Sequence, residues 1–185
     1  MACMPLTAGS WCGRPEAVTL ADGATVQIRA ALPGDEARLR RMFYRLSPNS
    51  IYFWMFVPAP KQPYWAANLA RLAQVDYTDQ YALVALVGGE IVGIARYDRG
   101  AAPEEAEFAI VIEDAWQARG LGKLLMRRLI AEADQQHIST FTARILGENR
   151  RALRLIGALF AQVQSHYLSG ECLVRSPLTA LRGGK

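Results

Sequence analysis

The chain has 185 residues, 51% of them apolar, with 21 basic and 17 acidic side chains for a net charge of +4. That length and balance suit one domain around one sizeable core, and Gly and Pro together stay well below the share of about 25–30% that marks low-complexity chains. The longest apolar runs, Ile51 to Val57 and Tyr81 to Val87, are far shorter than the ~18 residues needed to span a bilayer, which excludes a helical membrane protein.

Met1 to Val18 carries one basic residue, Arg14, and no apolar core, so it does not read as a secretory signal and a cytoplasmic protein is expected. Cys3, Cys12 and Cys172 form no CxxC pair, and His137 and His166 are the only histidines. A disulfide framework or a zinc site is therefore not expected, and Cys172 reads as a core residue. The basic residues lack a nucleic-acid-binding signature, and no nucleic-acid partner is expected. They do thicken at Arg119, Lys123, Arg127, Arg128, Arg150, Arg151 and Arg154.

In chain order, Ala24 to Leu32 alternates apolar and polar residues as a strand does, and Pro33-Gly34-Asp35 ends it. Leu39, Met42, Phe43 and Leu46 recur at helical spacing from Glu36. Ser47-Pro48-Asn49-Ser50 then supplies turn and capping residues for a second short helix, and a third fits Tyr64 to Leu72. Tyr81 to Val87 and Glu90 to Tyr97 are strands joined by Gly88-Gly89, whose glycines accept the positive φ of a hairpin turn. Glu105 to Ile112 is a strand, Leu121 to Ala133 a helix, Thr140 to Ile145 a strand and Arg150 to Leu159 a helix. Val163 to Tyr167 and Glu171 to Arg175 bracket a turn at Ser169-Gly170. The order predicts an α/β fold with a mixed, mostly antiparallel central sheet flanked by helices on both faces. The domain is expected over 24–176, with tails at 1–23 and 177–185.

Chemistry concentrates where the Glu105 strand passes through Asp114-Ala115-Trp116-Gln117-Ala118-Arg119-Gly120-Leu121-Gly122-Lys123 into a helix. A strand, a loop with glycines two apart and a helix N-terminus direct backbone N–H groups at one point, which suits an anion and above all a phosphate. Gly120 and Gly122 let ligand oxygens approach the backbone, while Arg119 and Lys123 add charge. The segment lacks the third glycine of G-x-G-x-x-G and the spacing of G-x-x-x-x-G-K-[ST].

Gln117-Ala118-Arg119-Gly120-Leu121-Gly122 resembles the [QR]-x-x-G-x-[GA] pyrophosphate motif of the GNAT superfamily of N-acetyltransferases, and the element order resembles that fold over Val26 to Val174. Leu46 to Tyr52 and Ala106 to Ala109 look like the acetyltransferase domain of bacterial protein-lysine acetyltransferases. The resemblance implies acetyl-CoA as co-substrate and a primary amine, small molecule or protein lysine, as acceptor. It leaves a homodimeric state open. By that likeness the backbone of Ile110, Val111 and Ile112 pairs with the pantetheine arm and the amides of Ala118 to Lys123 hold the pyrophosphate. Asn149 contacts the arm or caps the last helix, and Arg150, Arg151 and Arg154 either reach the ribose 3′-phosphate or form a solvated helix face. The resemblance also implies that this strand is splayed from the next one, opening a cleft in which the Ile110 N–H is the donor to the oxygen of the tetrahedral intermediate.

A lysine-like amine is mostly protonated near neutral pH, so transfer needs a base. Glu107 coincides with the catalytic glutamate of the lysine-acetylating subfamily and could take the proton directly or through water if apolar neighbours such as Phe108 raise its pKa; the alternative is an outward glutamate paired with an arginine. Two departures stand out. The tyrosine that protonates the leaving thiolate in many members is here Ile156, with Tyr167 a weak substitute, and the run Ile51 to Val57 has Trp54 where the subfamily has arginine. The alternative function is an acyl-CoA-binding regulatory or scaffold module with little catalysis.

Overall fold

A computed structural model describes residues 15–56 and 72–181. Their strands are β1 (Glu16–Thr19), β2 (Thr25–Ala30), β3 (Gln80–Val87), β4 (Glu90–Arg99), β5 (Glu105–Ile112), β6 (Thr140–Leu146), β7 (Gln164–Leu168) and β8 (Glu171–Pro177). The helices are α1 (Glu36–Arg45), α2 (Pro48–Met55), α3 (Leu121–Gln135) and α4 (Arg150–Leu159). The helix expected over Tyr64 to Leu72 lies outside the described residues except at its last position. No helix among the described residues is long and apolar enough to cross a membrane.

The eight strands form one sheet in the order β1-β2-β3-β4-β5-β6-β8-β7. Every neighbouring pair is antiparallel except β5 and β6. The sheet takes in part of the stretch expected as the N-terminal tail, and the described part of the expected C-terminal tail packs on the protein. Glu16–Thr19 pairs with β2, because Val18 packs on the core while its neighbours stay wet, an alternation too short to read in four residues. Beyond Arg175, Leu178 is buried and Leu181 bridges Phe160.

Alternation along the strands divides the interior between the two faces. Leu39, Met42 and Phe43 of α1 pack with Val84, Ile91, Ile94 and Val111, and Ile51, Trp54 and Met55 of α2 lean on that cluster. On the other face Leu121, Leu125, Met126 and Leu129 of α3 and Ile156 and Leu159 of α4 cover Phe108, Phe141 and Cys172. The hairpin turns form as expected. Gly88 and Gly89 have φ of 57° and 83°, and Ser169 and Gly170 have φ of 51° and 86°, the paired left-handed backbone of a type I′ turn. The turn between β2 and α1 is fixed by a buried ion pair, Arg29 to Asp35 at 2.5 and 2.7 Å, with the Leu32 N–H donating to the same carboxylate.

Candidate active site

The parallel pairing of β5 with β6 stops early. Its register runs Glu105↔Thr140, Ala106↔Phe141 and Glu107↔Thr142, and no pair follows. On its other side β5 stays paired with β4 out to Gly93↔Ile112. The last residues of β5 therefore lose one neighbour and keep the other, so a cleft opens through the sheet with α2 on one side and α4 on the other.

Antiparallel pairing alternates the direction of backbone groups, and the Glu113 N–H donating to Val92 O at 2.9 Å sets the phase. Residues 113, 111, 109 and 107 turn their N–H and C=O groups to β4. Ile110 and Ile112 turn theirs to the cleft, and the Ile112 carbonyl accepts from Gln117 Nε2 at 2.9 Å on that side. The expectation that Ile110, Val111 and Ile112 all offer backbone to a ligand is thus corrected for Val111, whose backbone is used by Ile94 and whose side chain is buried under α1.

Past β5, Ala118 and Gly120 have φ of 60° and 86°. Left-handed residues on either side of Arg119 bend the loop into a concavity of N–H groups, at the start of α3. The first N–H bonded within this helix is that of Leu124, to Gly120 O at 3.1 Å, and Gly120 offers no side-chain cap. The amides of Leu121, Gly122 and Lys123 are thus the helix's orphan donors, at the positive end of its dipole. A cavity of about 760 Å³ lies here, touched by Ile110, Ile112, Gln117, Ala118, Gly120 and Gly122. Lys123, Arg150, Arg151 and Arg154 also line it against the acids Asp114 and Glu148, so it is electropositive.

Two residues of the expected loop do not send side chains there. Arg119 pairs with Asp22 and lies 4.2 Å over the Trp116 ring, and Leu121 is fully buried in the core beneath α3; each has only its amide to offer. Asn149 lines the cavity and also caps α4, accepting from the Ala152 N–H at 3.1 Å. The capping reading is the one this hydrogen bond carries.

A polar network not foreseen from the sequence ties α2 to this loop. Asp114 accepts from the Ser47 N–H at 2.8 Å, Ser47 Oγ at 2.7 Å and Ser50 Oγ at 2.8 Å. Gln117 Nε2 donates to Ser50 Oγ at 3.1 Å while its Oε1 accepts from Arg151. Burial pushes the Asp114 pKa up, but the hydrogen bonds from Ser47 and Ser50 outweigh it and hold the carboxyl below its usual range. Tyr52 of α2 is hydrogen-bonded to Glu148, which raises the pKa of its phenol. The available signal was the pair of capping-type clusters, Ser47 to Ser50 and Glu113 to Asp114, each with more polar groups than one helix end needs.

A second cavity, of about 420 Å³, continues from the first; Phe53, Trp54, Ile110, Asn149, Ala152 and Leu155 belong to both. Glu107 lines it, on the face of β5 turned to α2, and its exposed side chain pairs with Arg144 at 3.6 Å. Phe108 lines the same cavity from the opposite face of β5, where its ring packs on Phe141 at 5.4 Å. Ile156 is buried at the cavity wall, and Tyr167 stands exposed on the edge strand β7. The apolar run after Ser-Pro serves two purposes. Ile51 and Trp54 lean on the core, with Trp54 edge-on to Phe43 at 5.9 Å, while Phe53, Trp54 and Phe56 line the cavity.

Residues 42–159 match the model of the Acetyltransferase (GNAT) family. Acetyltransferase Pat of Mycolicibacterium smegmatis is 31% identical over 155 residues, 80% of this chain and 45% of that protein. Acetyltransferase PA5475 of Pseudomonas aeruginosa is 39% identical over 116 residues, 60% of this chain and 61% of that protein. The chain thus spans about half the length of these relatives. The GNAT domain of S. lividans PAT superposes with a TM-score of 0.78 at 29% identity, covering 88% of this chain and 96% of that one.

Proposed function

Since the chain belongs to the Acetyltransferase (GNAT) family, we propose that it transfers an acetyl group from acetyl-CoA to a primary amine within a ternary complex. The observation that carries this reading is the unpaired end of β5. Ile110 and Ile112 present strand-like donors and acceptors to the cleft, next to the orphan amides of α3. A pantetheine arm has amides of its own and completes that strand edge. The pyrophosphate takes the amides of Leu121, Gly122 and Lys123, with Lys123, Arg150 and Arg154 supplying charge along the cavity wall. The fit is one of chemistry: strand-type groups for the amide arm, helix dipole and cations for the phosphates.

With the arm so placed, the thioester lies where the two cavities join, at Ile110, whose N–H meets the oxyanion of the tetrahedral intermediate. The acceptor enters from the second cavity. Glu107 takes a proton from the incoming ammonium, directly or through water, as its exposure permits. The neutral nitrogen forms the new C–N bond, the C–S bond breaks with its electron pair on sulfur, and the remaining proton passes from nitrogen to the thiolate. Ile156 provides no acid at that point, and a thiol of pKa about 8.5 leaves without one.

Isothermal titration of the folded chain with acetyl-CoA tests the reading. One site at micromolar affinity is expected, together with release of free thiol when an amine is added. Absence of binding at hundreds of micromolar would overturn it, and binding without thiol release toward any amine would favour a regulatory module.

A further inference from the structure

Resting on that acetyl-transfer reading, we infer that the acceptor is an arylalkylamine, a primary amine on a short arm from an aromatic ring, held in the second cavity. That cavity, about 420 Å³, sits at the small end of the range of roughly 300–1,000 Å³ that takes a whole small ligand. That volume is well above what the methylenes of a lysine arm fill. One wall is the rings of Phe53, Trp54 and Phe56 from α2 and its end; the facing wall is Ala143, Ile145 and Ile156. Rings against aliphatic groups make a slot for a flat apolar body. Trp54 is braced from behind by Phe43, so the slot has a rigid side.

Charge complementarity fixes which end carries the amine. Glu107, paired with Arg144, and Glu171 line the cavity together with aromatic side chains, so the charge among its described residues is net negative and suits an ammonium. The reacting nitrogen lies toward Ile110, where the cavities meet, with the ring filling the slot behind it.

A second observation is independent of the lining. Phe56, the residue that ends α2, has φ of 62° and ψ of 13°. Glycine or asparagine is the usual occupant of this left-handed helix end, and a bulky side chain there is strained. Phe56 lines the second cavity and not the first. An aromatic ring kept against the backbone's preference, at the wall of a site, marks the ring as wanted there.

The test compares tryptamine and phenethylamine with the N-acetyl, N-methylamide derivative of lysine, following free CoA. The expected result is a kcat/KM preference of about tenfold or more for the arylalkylamines, the scale on which a filled apolar pocket discriminates. Phe56→Gly and Phe56→Asn both relieve the backbone, so the variants fold, keep the acetyl-CoA Kd and lose most of the preference. Equal or better use of the lysine derivative, transfer to neither class by a chain that binds acetyl-CoA, or a preference unchanged in both variants overturns the acceptor assignment alone. Failure to bind acetyl-CoA overturns the acetyl-transfer reading with it.

Discussion

Asp114 receives both donors of Ser47, the backbone N–H at 2.8 Å and Oγ at 2.7 Å. The two residues are 67 positions apart, one at the N-cap of α2 and one in the turn between β5 and the loop that opens α3. With Ser50 and Gln117 in the same network, the helix that carries the aromatic wall is pinned to the loop that would hold the pyrophosphate. The helix and the loop that border the two cavities are thereby tied into one mechanical unit.

Replacing Asp114 with alanine removes the acceptor of three hydrogen bonds and leaves Ser47 and Ser50 to find water. A loss of about 0.5–1.5 kcal/mol in unfolding free energy is expected, together with a rise in KM for both substrates. The depressed pKa gives the pH sign. The native state binds this proton less readily than the unfolded chain does, so the contribution is present above the unfolded value near 3.9 and fades as pH falls through the folded pKa. Denaturant titrations between pH 3 and 6 should show the wild type losing an advantage over Asp114→Asn as acid is added. A constant difference between the two across that range would show that Asp114 is not held as a carboxylate by α2.

Glu107 is exposed and paired with Arg144 at 3.6 Å, and base catalysis is asked of it as the chain stands, without apolar cover. Glu107→Gln is expected to lower kcat by about 10²-fold, the lower part of the range for a positioned general base, with the acetyl-CoA Kd unchanged. The deficit should shrink as pH rises toward the amine pKa of about 10.4, where solvent supplies the neutral amine. A pH-independent deficit would assign Glu107 to binding the acceptor, and no deficit would remove it from the mechanism.

What could be read from the residues was local. Gly88-Gly89, the helical spacing in α3 and the Gln117 to Gly122 loop each state their conformation within a few residues, and each forms as expected. The phase of β5 was different. Whether Ile110 or Val111 turns its backbone to the cleft depends on the pairing with β4, and alternation in the sequence gives the side-chain faces without saying which edge is left open. Phe108 shows a related limit, because adjacency in a strand places it on the opposite face from Glu107. The network of Asp114 joins segments more than sixty residues apart, and only the tertiary fold brings them together. Phe56 looked like one more apolar residue of a run until the end of α2 put it in left-handed backbone.

Glu132 lies 1% exposed on α3, with Oε2 lacking a partner among the described residues. Burial raises its pKa, against a smaller opposing hydrogen bond from Gln136. The folded state therefore holds this proton more tightly than the unfolded chain. Its contribution to stability is complete below the unfolded value near 4.3 and is lost as pH rises through the raised folded pKa. Thermal melts across pH 4.5 to 8 should show this decline in the wild type, superimposed on other titrations, and Glu132→Gln should remove it. Identical slopes for the two proteins would mean that the buried carboxyl is solvated in the native state.

Gly122 separates what the fold needs from what the ligand needs. A Cβ built there would meet Leu155 Cδ2 at 3.5 Å and Ile110 Cδ1 at 3.7 Å, ordinary contact distances, and the residue is helical without positive φ. Nothing in the protein's own packing excludes alanine, and helix propensity favours it by about 0.5–1 kcal/mol. The methyl group would instead stand in the larger cavity, beside the amides assigned to the pyrophosphate. Gly122→Ala is therefore expected to move two measurements in opposite directions: unfolding free energy up by a few tenths to about 1 kcal/mol, and acetyl-CoA affinity down by tenfold or more, about 1.4 kcal/mol. Equal affinity in a protein of raised stability would show that the phosphates bind elsewhere on α3. A fall in both would show that the helix cannot admit the methyl group despite the space at Leu155 and Ile110, and the need for glycine would then belong to the fold.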